Sequence, residues 1–158
     1  MKIVLAGAFG NLGAEILKSL CAAGHEVVAA DLKERPIEGC EGKYTFVSID
    51  ATNPETLKGL CEGADIAITT MGLTGASTKV TSYDIDHKGN MNFYAECVRA
   101  GVKKFNYISV ISCDQPGAEE VPMLHAKYLL EQDIKKGNME YVISRPTGYF
   151  YDIAKVFK

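Results

Sequence analysis

The residues best suited to chemistry open the chain. Gly7, Gly10 and Gly13 stand at three-residue spacing between an apolar run over residues 2–6 and a helical pattern that begins at Asn11. A strand, a glycine turn and a helix start, in that order, place bare backbone N–H groups at the positive end of a helix, where a pyrophosphate is favoured. Gly7 permits the tight turn out of the strand, Gly10 lets backbone approach phosphate with no Cβ in between, and Gly13 lets the helix pack close to the sheet. The spacing, G-x-x-G-x-x-G, is one residue off the dinucleotide signature G-x-G-x-x-G. A second apolar run ends in Asp31, 18 residues after Gly13. There a carboxylate would accept hydrogen bonds from an adenosine ribose. Asp31 would also repel a 2′-phosphate, which favours NAD(H) over NADP(H), although Lys33 and Arg35 follow closely enough to partner one.

A further polar group, Asp84, Asp86, His87 and Asn90, falls at the start of a long helical pattern, with positions 86 and 90 on one face. Its plainest reading is a solvated helix face whose acids complement the helix dipole. Five cysteines, at 21, 40, 61, 97 and 113, are widely spaced, with no C-x-x-C and no paired histidines, so neither a zinc site nor a disulfide framework is expected. The net charge is −3, and lysines, arginines and aromatics form no stripe, which argues against nucleic acid as a partner. Residues 2–8 are too short for a signal-peptide core or a membrane span. The expected setting is the cytoplasm, with no membrane partner.

The elements that must position these groups alternate along the chain. Strands are predicted over 2–6, 26–30, 44–49, 65–70, 104–109 and 140–144, most as continuous apolar runs of the kind buried on both faces. Helices are predicted over 11–23, with Gly24 as its cap, and over 54–61, opened by Asn53 and Pro54. Two more are predicted over 82–100, stopped by Gly101, and over 122–136, stopped by Gly137. Residues 33–42, with Pro36, Gly39 and Gly42, read as a loop. Such alternation argues a three-layer α/β/α fold around a parallel sheet with right-handed crossovers. The length and the 47% apolar content suit a single domain over residues 1–158. Residues 149–158 read as the opening of another helix without a stop signal, as expected for a piece of a longer protein.

The chain resembles the short-chain dehydrogenase/reductase superfamily, in its atypical and extended branches, through five motifs in order. "GAFGNLG" is similar to the phosphate loop, bringing Phe9, Asn11 and Leu12 to the cofactor beside the three glycines. "FVSIDATNPETL" is similar to the strand-end acid motif, so Asp50 and Ala51 would border the adenine. "ADIAITTMG" resembles the fourth strand and its loop, so Thr70, Met71 and Gly72 would run past the cofactor. "YDIDHKGNMNFYAECVRAGVKKFNYIS" resembles the long helix and fifth strand, and the resemblance implies that the start of that helix, with Asp84, Asp86, His87 and Asn90, lies near the active site. "HAKYLLEQDIKKGNMEYVISRPTGYF" resembles the active-site helix, sixth strand and Arg-Pro loop. The resemblance implies a Rossmann-type doubly wound sheet in order 3-2-1-4-5-6, with NAD(H) and a small-molecule substrate as ligands. It also implies helices that pair across homodimers in many relatives, and a substrate-binding region beyond the sixth strand that this sequence barely enters.

The family's active-site helix carries Tyr-x-x-x-Lys. Lys127 matches the lysine, which the resemblance makes a catalytic residue that binds the nicotinamide ribose and lowers the tyrosine's pKa. The tyrosine's position is then Met123, and a thioether cannot donate a proton to a carbonyl. Ser109 ends the fifth strand, while the position nearest the family's serine is Ile111 or Ser112. His125 lies roughly 200° around the helix from Met123; Tyr149 and Tyr151 are other hydroxyls near this end of the fold. The resemblance thus implies an NAD(H)-binding oxidoreductase or epimerase-like protein, with a non-catalytic redox-sensing regulator as the alternative. A weaker alternative is an S-adenosylmethionine-dependent methyltransferase, whose glycine loop and strand-end acid are similar.

Overall fold

The computed structural model describes residues 1–73 and 79–149. Six strands form one all-parallel sheet in the order β3-β2-β1-β4-β5-β6: β1 Lys2–Ala6, β2 Glu26–Asp31, β3 Tyr44–Ser48, β4 Ile66–Thr69, β5 Lys104–Ile108 and β6 Glu140–Ser144. At the centre Val4 of β1 lies opposite Val28 and Ala67. The expected strand order is the observed one, and each expected strand is present within two residues of its predicted ends.

Alternation along β1 and β2 divides two cores. Leu5, Val27 and Ala29 pack with Leu17 and Cys21 of helix α1, Asn11–Ala22, on one face. Val4, Ala6, Val28 and Ala30 face the other way, towards Phe93, Tyr94 and Cys97 of α2, Asn90–Ala100, and Leu130 and Ile134 of α3, Pro122–Lys136. Burial on both faces holds for β1 and β2. It does not hold for the outer strands: Tyr141 and Val142 of β6 are exposed, because β6 is the sheet's edge and only Ile143 reaches the α2/α3 core.

Two helices differ from expectation. Residues 54–61 make only one 3-10 turn, Pro54–Leu57; Asn53 caps it as expected, its Oδ1 accepting from Glu55 N, but Gly59 at φ +80° turns the chain away. Residues 82–100 are not one α-helix. They begin with a π-helical stretch, Tyr83–Gly89, and become α-helical only at Asn90. The cause lies in Asn90, whose side-chain amide donates to the carbonyls of Ile85 and Asp86 and so competes with the backbone ladder. Gly101, at φ +72°, ends α2 as predicted. Gly137 ends α3 in extended backbone; the close approach there is to Tyr94.

Candidate functional site

The glycine loop joins β1 to α1 at the carboxyl edge of the sheet. Gly7 takes φ +77°, the left-handed turn out of the strand, and its N–H donates to Ala30 O at 2.9 Å. A Cβ on Gly13 would lie 2.0 Å from Gly7 O, so the close packing it permits is helix against loop. Gly10 is the N-cap of α1 and offers no side chain to the helix. The N–H groups of Asn11, Leu12 and Gly13 therefore open the helix as first-turn donors without helical acceptors. This tight, uncapped cradle fits a pyrophosphate.

The structure brings Asp31 to this loop in a way its sequence position did not foretell. Its Oδ2 accepts from Phe9 N at 2.9 Å and its Oδ1 from Leu32 N at 2.8 Å, while Arg35 donates to Phe9 O. Asp31 thus shapes the loop while standing at its rim. Phe9 turns its ring into the core, 2% exposed, edge-on to Tyr44 and Phe46. Only its main chain faces the cradle edge. The side chain of Thr70 is likewise spent on the loop, its hydroxyl donating to Gly7 O at 2.9 Å.

On the next strand end, Asp50 accepts from the N–H and hydroxyl of Thr52 and so closes its own turn. Ala51 is buried, and its carbonyl accepts from the Asn92 amide at 2.8 Å. A cleft of ≈ 630 Å³ opens beside it, lined among others by Thr52, Asp84, Lys88 and Asn92.

Asp86, Lys127 and the turn 71–73 form the other half of the edge. Asp86 and Asn90, read from sequence as a solvated face, are buried. Asn90 Oδ1 accepts from Thr69 Oγ1 at 2.6 Å, and its amide donates to Met71 O. Asp86 Oδ2 accepts from Leu73 N at 3.0 Å, and its Oδ1 lies 3.1 Å from the Lys127 ammonium, with side chains 1% and 12% exposed. That pair is a charge contact without hydrogen-bond alignment, since Oδ1 lacks a directed donor. The ammonium also sits 5.6 Å from the ring centre of Tyr107, whose phenol burial pushes upward, followed by the charges of Asp86 and Glu131. Two more ties join the π-helical stretch to α3: Tyr83 OH to His125 Nδ1 at 3.0 Å, and His87 Nε2 to Asp133 Oδ2 at 2.8 Å. The His87 hydrogen bond holds Asp133 below the usual carboxylate range. The histidine on α3 is thus a partner of Tyr83.

Met123 is exposed at the start of α3, and no hydroxyl replaces it on that helix turn. Ser109 is buried, its hydroxyl 3.8 Å from Cys113 Sγ. Cys113 in turn contacts the buried carboxylate of Glu131. Glu131 accepts from Arg145 Nε and Nη2 at 2.8 and 2.6 Å, and Arg145 also donates to Asp114 at 2.6 Å. This clasp joins α3 to the loops after β5 and β6. Burial alone would raise the Glu131 pKa, but hydrogen bonds from Arg145 and its neighbours outweigh it and bring the value down to about 2. The clasp has no signature in the sequence, because the Glu131-to-Arg145 spacing carries no periodic signal. Beside it, Ser112 takes φ 64°, the one non-glycine residue in the left-handed region among the described residues. Tyr151 lies outside the described residues. Among those described, no group of three or more His, Cys, Asp or Glu is placed to hold a metal ion, and no helix is long and apolar enough to cross a membrane.

Comparison with known proteins bears on the family and the fold. A family described as NAD(P)H-binding matches residues 7–155. Photosystem II assembly factor Ycf39 of Synechocystis is 28% identical over 94% of this chain and 45% of that protein, and the Cyanophora paradoxa protein of the same name is 25% identical over 95% and 46%. The chain spans about half the length of these relatives. The oxidoreductase ylbE of Lactococcus lactis superposes with a TM-score of 0.75 at 25% identity, over 92% of this chain and 68% of that one. UDP-glucuronic acid 4-epimerase of Bacillus cereus, solved with NAD, does so at 0.77 and 20% identity, over 93% and 56%.

Proposed function

The chain belongs to the NAD(P)H-binding family, and from that premise we propose that it binds NAD(H) in preference to NADP(H) and holds it without ordinary carbonyl reduction. The observation that carries the reading is the pairing of a complete cradle with an incomplete proton path. The uncapped start of α1 would hold the pyrophosphate through the N–H groups of Asn11, Leu12 and Gly13, and Asp31 would accept from the adenosine ribose. Asp50 and Ala51 would border the adenine, and Thr70, Met71, Gly72 and Ser109 would line the route to the nicotinamide end. A bound nicotinamide supplies hydride chemistry. The chain's own residues would have to supply the proton, and at the expected position Met123 has none to give. Relatives bearing the name of an assembly factor support a role in which the bound dinucleotide informs a protein partner.

A second reading is an oxidoreductase or epimerase-like enzyme, favoured by the place of Lys127 beside the turn 71–73. In it, Lys127 orients the nicotinamide ribose and a substrate hydroxyl handles the proton. Titration with NADH and NADPH, followed by NADH oxidation across carbonyl compounds and nucleotide sugars, separates the readings. Saturable NADH binding, weaker NADPH binding and no turnover are expected, with Gly10→Val weakening binding at least tenfold. Turnover that falls in Lys127→Ala would establish the enzyme. Binding of neither dinucleotide at millimolar concentration would refute both.

A further inference from the structure

The geometry points to Asp86 as the positioning residue of the nicotinamide half of this site, a two-oxygen bridge that fixes Lys127 and the turn 71–73 relative to each other. The inference rests on the dinucleotide reading and adds a residue to which that reading gives no role.

A carboxylate that is 1% exposed has given up its hydration, and such a group persists only where charge and hydrogen bonds compensate it. Each oxygen of Asp86 faces a different element, one through a hydrogen bond and the other through charge alone. Oδ2 takes the N–H of Leu73, on the turn after β4; Oδ1 faces the Lys127 ammonium, on α3. The backbone between them is pressed against the carboxylate: a Cβ on Gly72 would lie 2.8 Å from Oδ1 and 3.4 Å from Lys127 Nζ. One turn on, Asn90 ties the same stretch again, through Thr69 Oγ1 and Met71 O, while its amide holds the Asp86 carbonyl. The start of the helix therefore grips residues 69–73 at successive points, and its π-helical winding, caused by Asn90, sets where Asp86 points.

The bridge needs a carboxylate. Leu73 N–H and the Lys127 ammonium are both donors, and an amide offers one acceptor oxygen and one donor NH₂. In Asp86→Asn the NH₂ must confront one of the two donors, so either the turn or the lysine loses its anchor. Adenosine and pyrophosphate would meet the Gly7–Gly13 loop and Asp31, which Asp86 does not touch. The damage should therefore be confined to the nicotinamide half.

The experiment compares NADH with ADP, which lacks that half, by calorimetric titration of wild type, Asp86→Asn, Lys127→Met, the double variant and Gly72→Ala. Asp86→Asn is expected to lower NADH affinity at least tenfold while ADP affinity stays within threefold. The double variant should bind NADH no worse than the weaker single variant, because the two side chains act as one unit. Gly72→Ala, which intrudes on Oδ1 without changing any charge, should show the same split and serves if Asp86→Asn does not fold. NADH binding within threefold of wild type in Asp86→Asn or Gly72→Ala, equal loss for NADH and ADP, or additive losses in the double variant would overturn the inference. Wild-type protein that binds neither ligand would instead sink the dinucleotide reading, and this inference with it.

Discussion

Gly13→Ala is the sharpest test of the cradle, because the structure fixes what the added methyl meets. The new Cβ would stand 2.0 Å from Gly7 O and 2.9 Å from Gly7 C. An ordinary contact needs about 3.4 Å or more, so helix and loop must part by roughly 1.4 Å at the point where they are joined by the Gly10 N to Gly7 O bond of 3.1 Å. Overpacking of this kind costs about 1–3 kcal/mol, and a contact with backbone belongs near the upper end. Alanine recovers up to ~1 kcal/mol of helix propensity. A net loss of roughly 2 kcal/mol lowers Tm by about 4–8 °C in a domain of this size. Binding should suffer more. If parting displaces two of the first-turn N–H groups, each worth ~1.5–3 kcal/mol to a charged acceptor, NADH affinity falls by more than a hundredfold. Thermal melting and NADH fluorescence titration read the two effects on the same sample. A variant that melts within 1 °C of wild type and binds NADH within about threefold would refute the cradle as described.

Other consequences can be checked alongside. Acid titration should reveal the Glu131 clasp: its folded pKa, about 2, lies below the ordinary carboxylate value, so its stabilisation is full above about pH 4.5 and is lost as pH falls towards 2. Glu131→Gln should flatten that acid limb of the stability-against-pH curve, read from urea unfolding at each pH, by about 3 kcal/mol, and an unchanged limb would contradict the pairing. Tyr94→Phe should be neutral or stabilising, since the buried hydroxyl lacks a hydrogen-bond partner. Gly137→Ala, whose Cβ would lie 2.0 Å from that hydroxyl, should cost about 1–3 kcal/mol in wild type and visibly less in Tyr94→Phe, measured by urea unfolding. All five cysteines are free and buried, so a thiol reagent such as DTNB should label the native protein slowly and release five equivalents in denaturant; rapid native labelling would contradict the packing.

The order of strands and helices was legible because it is written in local signals: apolar runs, glycine stops and the Asn53-Pro54 cap. The glycine cradle was legible for the same reason, since three glycines within seven residues act on one another through a single turn. The failures are equally specific. Residues 54–61 read as a helix on their cap, but Gly59 in the left-handed region outweighs the capping signal four residues earlier. Asp86 and Asn90 read as a solvated face because acids at a helix start usually are; their burial follows from α3 and the β4 turn closing over them.

By itself, then, the sequence determined the alternation of strands and helices and the glycine turn between the first two, for each follows from patterns spanning a few residues; the order of strands in the sheet came from the family resemblance, since no local pattern encodes it. Tertiary structure alone decided which polar groups serve the edge of that sheet and which serve the fold. Asp31 meets Phe9, Asp86 meets Lys127 and Glu131 meets Arg145 across separations of 22, 41 and 14 residues. No local period encodes such pairs. They form because packing strips water from a charge, and an unhydrated charge must find its partner wherever the chain has brought one.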